Sequence, residues 1–114
     1  MNPSLLAKVL NSINHEKYIE IPDDILKETY VFRYLYNNVM CSIDMYRLVH
    51  FCKLYAIQQG YKIQSGHDGQ WYCMIDRDDL DEHMLFDRDT ESDAVFSACE
   101  FIRKREIEND TSIN

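Results

Sequence analysis

The chain has 114 residues, of which 46% are hydrophobic and 28% charged, with only 3 glycines and 2 prolines. This length suits one domain, and this composition excludes disorder along the whole chain. Twenty Asp and Glu residues against 12 Lys and Arg residues give a formal net charge of −8. Such a charge repels phosphate backbones, so we expect no direct binding to nucleic acid.

The negative charge is concentrated in the second half of the chain. Residues 1–60 contain six basic and six acidic side chains, whereas residues 61–114 contain six basic and fourteen acidic ones. Nine of the acidic side chains fall within residues 76–93, where only Arg77 and Arg88 oppose them. The sequence therefore predicts a local acidic patch on a neutral body.

The N-terminus and the cysteines bear on the compartment. The first eight residues lack the basic segment, apolar core and cleavage site of a signal peptide, and no apolar run approaches the ~20 residues that span a bilayer. Each of the four cysteines falls in or beside a predicted helix or strand, which favours buried free thiols over a disulfide framework. We expect a cytoplasmic protein without membrane contact.

Helical spacing predicts three helices in the first half of the chain. The first opens at Pro3 and runs to about Ile13. The second starts at Pro22 and ends at Asn37–Asn38, since Asn tolerates the left-handed conformation of helix ends. The third is capped by Ser42 and stopped by Gly60.

Alternating polarity predicts a β-hairpin next. Its strands are Tyr61–Ser65 and Gln70–Asp76, joined through an Asp68-Gly69 turn of two residues or a loop of four. We expect Tyr61 and Ile63 to share a face with Tyr72 and Met74. The opposite face then holds Trp71, Cys73 and Ile75 beside Lys62 and Gln64. Both faces are substantially apolar, so each needs cover.

The remaining elements are a short strand and a final helix. Residues 83–87 supply the strand, and Thr90 caps the helix with Asp93 in the reciprocal position. Residues 1–106 are predicted to form a single globular domain and residues 107–114 a polar C-terminal tail. The expected fold class is α+β, with N-terminal helices, an antiparallel β-hairpin or three-stranded sheet, and a C-terminal helix, layered α/β/α.

Several residues of the C-terminal half resemble a known family. They are Gly60-Tyr61, the strand Trp71-Tyr72-Cys73-Met74-Ile75, Phe86, and the helical series Asp93-Ala94, Ala98-Cys99 and Ile102. This spacing, over roughly residues 45–105, resembles the phage ABA-sandwich domain. The resemblance implies a three-layer fold and a phage or mobile-element context, and it carries over no functional residues.

The sequence contains no recognisable metal-binding or catalytic motif. Zinc-ligand pairs are lacking, and the segment from Asp76 fails the EF-hand pattern because Leu80 and Asp81 stand where a ligand and a glycine are required. No serine or cysteine lies in a nucleophile motif. We therefore predict no catalytic residues, no metal ligands, no cofactor and no enzymatic activity, with a divalent-metal-dependent hydrolase as an alternative.

A seven-residue stretch inside the predicted second helix contains four aromatic side chains, Tyr30, Phe32, Tyr34 and Tyr36. A helix cannot turn all four inward. Phe32 is expected in the core, whereas for Tyr34 and Tyr36 a core position and an interface position are both open. An interface here would make the protein an oligomeric adaptor or a homodimer that docks through an aromatic helix.

The leading hypothesis is a small acidic protein that binds a protein partner with a basic surface. The acidic array would then occupy a basic groove, such as that of a host nucleic-acid-binding complex, in the manner of an anti-CRISPR inhibitor or DNA mimic. The predicted partner-binding residues are Asp76, Asp78, Asp79, Asp81, Glu82, Asp87, Asp89, Tyr34 and Tyr36.

Overall fold

The computed structural model describes residues 3–15, 19–20 and 31–112. Three helices and two antiparallel three-stranded sheets alternate along them, which confirms the α+β class. In chain order the elements are α1 (Pro3–Asn14), β1 (Ile19–Glu20), β2 (Val31–Tyr36), β3 (Val39–Asp44), α2 (Met45–Gln58), β4 (Lys62–His67), β5 (Trp71–Asp76), β6 (Met84–Arg88) and α3 (Glu91–Ser112).

The first sheet corrects the predicted second helix. Residues 31–36 form a strand that pairs with β3, and Asn37 and Asn38 form the turn between them with φ values of 51° and 63°. Two successive positive φ values define a type I′ hairpin turn, in which Asn is favoured. Phe32 and Tyr34 alternate with Arg33, so a period of two places the aromatic rings on one face. The predicted helical residues 22–30 lie outside the described residues.

Helix α2 follows the hairpin directly. Its cap is Asp44 and not Ser42, because Ser42 is still paired with Arg33 inside β3. The Asp44 carboxylate accepts hydrogen bonds from the backbone N–H groups of Tyr46 at 2.8 Å and Arg47 at 3.3 Å. The predicted stop at Gly60 is confirmed, with Gly60 at φ 86° two residues after the helix ends.

The second sheet has the order β4-β5-β6, and its register overturns the predicted face assignment. Ile63 pairs with Ile75, and Ser65 pairs with Cys73, so these side chains share the inner face. A loop of three residues, 68–70, joins the strands, which shifts the pairing by one residue relative to the predicted two-residue turn and by three relative to the four-residue loop. Because side chains alternate, that shift exchanges the faces.

Helices α2 and α3 both pack on the inner face of the second sheet. The rings of Phe86 and Phe101 lie 5.9 Å apart between β6 and α3. Cys73 on β5 lies close to Cys99 of α3 and Lys53 of α2. Helix α1 packs on α2 and α3. On the outer face, the side chains of Lys62, Gln64 and Leu85 are exposed.

Helix α3 begins as predicted and ends later. The backbone N–H of Asp93 donates to the Thr90 hydroxyl at 3.1 Å, which confirms the cap. The helix continues through Ser112 and so includes most of the segment predicted as a polar tail. Its inner stripe is fully buried at Ala94, Ala98, Cys99 and Ile102.

Candidate protein-binding surface

The acidic side chains of residues 76–93 lie at two opposite ends of the second sheet. Ile75 pairs with Met84 and Trp71 pairs with Arg88, so the loop before β6 and the turn after it are separated by the whole strand. At about 3.3 Å per residue, the ends of this strand are about 13 Å apart. All the predicted acidic partner-binding residues are exposed: Asp76, Asp78, Asp79, Asp81 and Glu82 at one end, and Asp87 and Asp89 at the other.

Asp79 differs from its neighbours because two arginines neutralise it. The Arg77 guanidinium donates to both Asp79 carboxylate oxygens, at 2.6 and 2.7 Å, and Arg105 of α3 donates to one of them at 2.6 Å. The hydrogen bond from Arg77, with a further one from Arg105, holds the pKa of the Asp79 carboxyl well below its usual range. Asp79 therefore acts within the fold and contributes little free charge to a partner.

The same arginines fix the acidic loop to the rest of the domain. Arg77 also donates to the backbone carbonyl of Gln59 at 2.8 Å and stacks on the buried Tyr61 ring at 4.3 Å. Arg105 donates to the Tyr61 hydroxyl. This cluster ties the loop to the end of α2 and to α3. The loop presents Asp78, Asp81 and Glu82 to solvent. Because the loop is preorganised, these side chains can contact a partner at a lower entropy cost.

The outer face of the second sheet joins the two acidic ends. It carries Tyr72, Met74 and Leu85, with Asp76 and Asp87 near its opposite ends. Leu85 is 53% exposed, and Tyr72 and Met74 are half-buried. The result is a strip of apolar side chains between carboxylates, which is the mixed character of a protein-binding surface.

The aromatic residues of the first sheet stand mostly inside the protein. Phe32 is buried, as predicted, and Tyr34 is only 3% exposed. Tyr34 therefore belongs to the core and is not available as an interface anchor, since its ring faces inward from β2. Tyr36 is half-buried. The aromatic helix of the adaptor hypothesis is a strand over residues 31–36.

A groove that the sequence did not predict lies beside the second acidic end. Its walls are the first turns of α2 and α3 and the start of β5, and its volume is about 270 Å³. The lining residues are Met45, Tyr46, Val49, Trp71, Thr90, Glu91 and Ser92. Tyr46 is 72% exposed and Trp71 36% exposed. The available signal was an aromatic residue two positions after the helix cap, in Asp44-Met45-Tyr46.

The buried thiols are poor candidates for chemistry. Cys52, Cys73 and Cys99 are free and fully buried, as predicted, whereas Cys41 is half-buried. Burial, more than any charge, raises the pKa of Cys73 to about 12. Because the thiolate is the nucleophile, this thiol is unreactive near neutral pH.

The described residues contain no group of three or more His, Cys, Asp and Glu side chains placed to hold a metal ion. Over the same residues, no helix combines the length and the apolar character that a membrane crossing requires. Comparisons with family models, with curated proteins and with solved structures give no match for this chain.

Proposed function

We propose that this chain is a non-enzymatic protein-binding protein whose acidic surface engages a basic surface of a partner. One observation carries the proposal: exposed carboxylates at both ends of the second sheet flank its outer face, where Leu85 is exposed and Tyr72 and Met74 are half-buried. The apolar strip supplies area to bury, and the carboxylates supply steering and orientation.

The free charge of the acidic loop itself resides in Asp78, Asp81 and Glu82, because Asp79 is paired within the fold. These carboxylates are spaced along a loop that the arginine cluster holds in place. An array of this kind matches a groove that itself binds phosphates, since both are recognised by Lys and Arg. A nucleic-acid-binding protein is therefore the proposed partner class.

The resemblance to phage ABA-sandwich domains extends this proposal to a biological setting. In that setting the chain would inhibit host nucleic-acid machinery by occupying its basic groove. This extension depends on the resemblance and on the acidic surface together, and partner identification tests it directly.

The test compares two charge reversals of equal size. Asp81→Lys alters the acidic loop, whereas Glu108→Lys makes the same change at an exposed position on α3 outside the acidic ends. Partners captured from host cells with the unaltered chain are then titrated with all three proteins at about 0.05 and 0.2 M salt. We expect Asp81→Lys to slow association about tenfold and to flatten the salt dependence, because charges at an interface rim act mainly on the association rate.

Equal association rates for the two variants, or binding that does not change with salt, would contradict the proposal. If the chain occupies the partner's basic groove, we expect the unaltered chain to displace nucleic acid from the partner.

A further inference from the structure

The groove between α2 and α3 combines aromatic walls with a fixed geometry. Trp71 leaves β5 on the helix-facing side, and the His67 ring meets it edge-on with centroids 5.0 Å apart. Tyr46, at the start of α2, also lines the groove and is largely exposed. Two aromatic faces therefore border one cavity, in positions set by a strand and by a capped helix start.

The charge around this groove is negative. Asp44 caps α2, Glu91 lines the cavity, and Asp89 and Asp93 lie within one helical turn of the lining residues. Arg88, which pairs with Trp71 across the sheet, and Arg47, which follows Tyr46 on α2, are the basic residues within the same distance. The two helix N-termini each add about half a positive charge. The four carboxylates therefore leave a net of about one negative charge, which favours a cationic ligand.

The size of the groove limits what it can hold. About 270 Å³ is below the volume of sites that enclose a drug-sized ligand, which start at about 300 Å³. It suits a single large side chain. A planar guanidinium matches both the aromatic walls and the negative charge of the groove, because it stacks on aromatic faces and forms paired hydrogen bonds with a carboxylate.

We propose that this groove binds an arginine side chain from an exposed basic segment of a partner protein. The guanidinium lies between Tyr46 and Trp71 and donates to the Glu91 carboxylate, which already accepts from the Ser65 hydroxyl at 3.2 Å. The inference rests on the proposed function, since it assumes a basic partner, and it places one contact of that partner on the chain.

The experiment uses the whole chain and a defined probe. The probe is a short end-capped Gly/Ser peptide containing two arginines, with matched peptides that carry lysine or neutral citrulline instead. Trp71 is the chain's one tryptophan, so its fluorescence and the NMR signal of its indole N–H report directly from the groove. We expect saturable binding in the millimolar range, with arginine stronger than lysine and no saturation by citrulline.

Matched variants locate the contact. Glu91→Gln keeps a hydrogen-bonding side chain and removes the charge, so it should weaken arginine binding about tenfold. Tyr46→Ala removes an exposed ring and should weaken it about threefold to tenfold. Asp78→Asn removes one charge from the far end of the sheet, and at 0.15 M salt it should change binding by less than about twofold.

Three outcomes would overturn the inference: no saturable change of the Trp71 signals, equal binding of the citrulline peptide, or equal affinity of the Glu91 and Tyr46 variants and the unaltered chain. Thermal melting confirms that both variants fold. The proposed function fails separately, on the comparison of Asp81→Lys with Glu108→Lys, because the groove variants leave the loop charge intact.

Discussion

A substitution in the turn of the first hairpin should change stability in opposite directions depending on whether residues 31–38 form the observed hairpin or the helix that the aromatic spacing favours. Asn37 and Asn38 have φ values of 51° and 63°, and both side chains are exposed. A left-handed conformation costs a residue with a Cβ about 1–2 kcal/mol, of which Asn recovers part through local hydrogen bonds. Asn37→Ala should therefore destabilise the protein by about 1 kcal/mol, with no loss of packing.

In a helix the same substitution has the opposite effect. Ala exceeds Asn in helix propensity by up to ~0.7 kcal/mol, so Asn37→Ala would stabilise a helix that includes residue 37. Asn11 supplies the matched control, because it is exposed within α1. Asn11→Ala should stabilise the protein by about 0.5 kcal/mol. Asn37→Gly should be neutral or slightly stabilising, since glycine takes positive φ freely.

Thermal and urea unfolding of the four proteins measure these effects. A change of about 1 kcal/mol shifts the melting temperature by about 4 °C in a domain of this size. We expect Asn37→Ala to melt lower and Asn11→Ala to melt higher than the unaltered chain. If Asn37→Ala melts at the same temperature or higher, the hairpin turn is wrong.

Three other predictions concern the second sheet and its surroundings. Ile75→Ala, at a fully buried position, should lower the free energy of unfolding by about 2–5 kcal/mol, whereas Leu85→Ala on the exposed face should lower it by under about 1 kcal/mol. Equal losses for the two variants would contradict the assignment of Ile75 to the inner face and Leu85 to the outer face. With its pKa raised to about 12, folded Cys73 stays protonated where the unfolded thiol ionises, so stability should fall between about pH 9 and pH 12, and a thiol reagent should modify Cys41 first. Asp79→Asn should accelerate amide exchange in the acidic loop and Asp78→Asn should not, because of the two it is Asp79 that Arg77 and Arg105 hold. Since the pKa of Asp79 is lowered in the folded protein, the stability that its ion pairs contribute is present above about pH 4 and lost in stronger acid.

Local signals predicted much of the second half of the fold. The Thr90 cap, the stop at Gly60 and the strand before Asp76 each depend on a few neighbouring residues, and the structure confirms them. The first hairpin was missed because Phe32 and Tyr36 are four residues apart, a spacing that fits a helix face and, being even, also fits one face of a strand. The turn residues did not decide between these options, since Asn tolerates positive φ in either setting.

The site required information that a sequence pattern does not hold. The acidic run is contiguous in sequence, but pairing of β5 with β6 carries Asp78 and Asp89 to opposite ends of a strand. The arginine cluster joins Arg77 to Arg105, which are 28 positions apart in the chain. The groove likewise joins the starts of two helices to Trp71. Each of these depends on register and helix packing, and a one-residue error in register exchanges the faces.

Edge protection explains only part of the acidity. Strand β6 is an edge of its sheet, and charged side chains on an edge prevent pairing with another chain. That reason covers Asp87 and Arg88, which lie in the strand itself. It does not cover Asp78 and Asp81, which lie in a loop beyond the strand and are held out to solvent by the bonds that anchor the loop. A loop that only had to be soluble would need no such anchor. The fixed presentation of unpaired carboxylates is thus the feature that favours a partner.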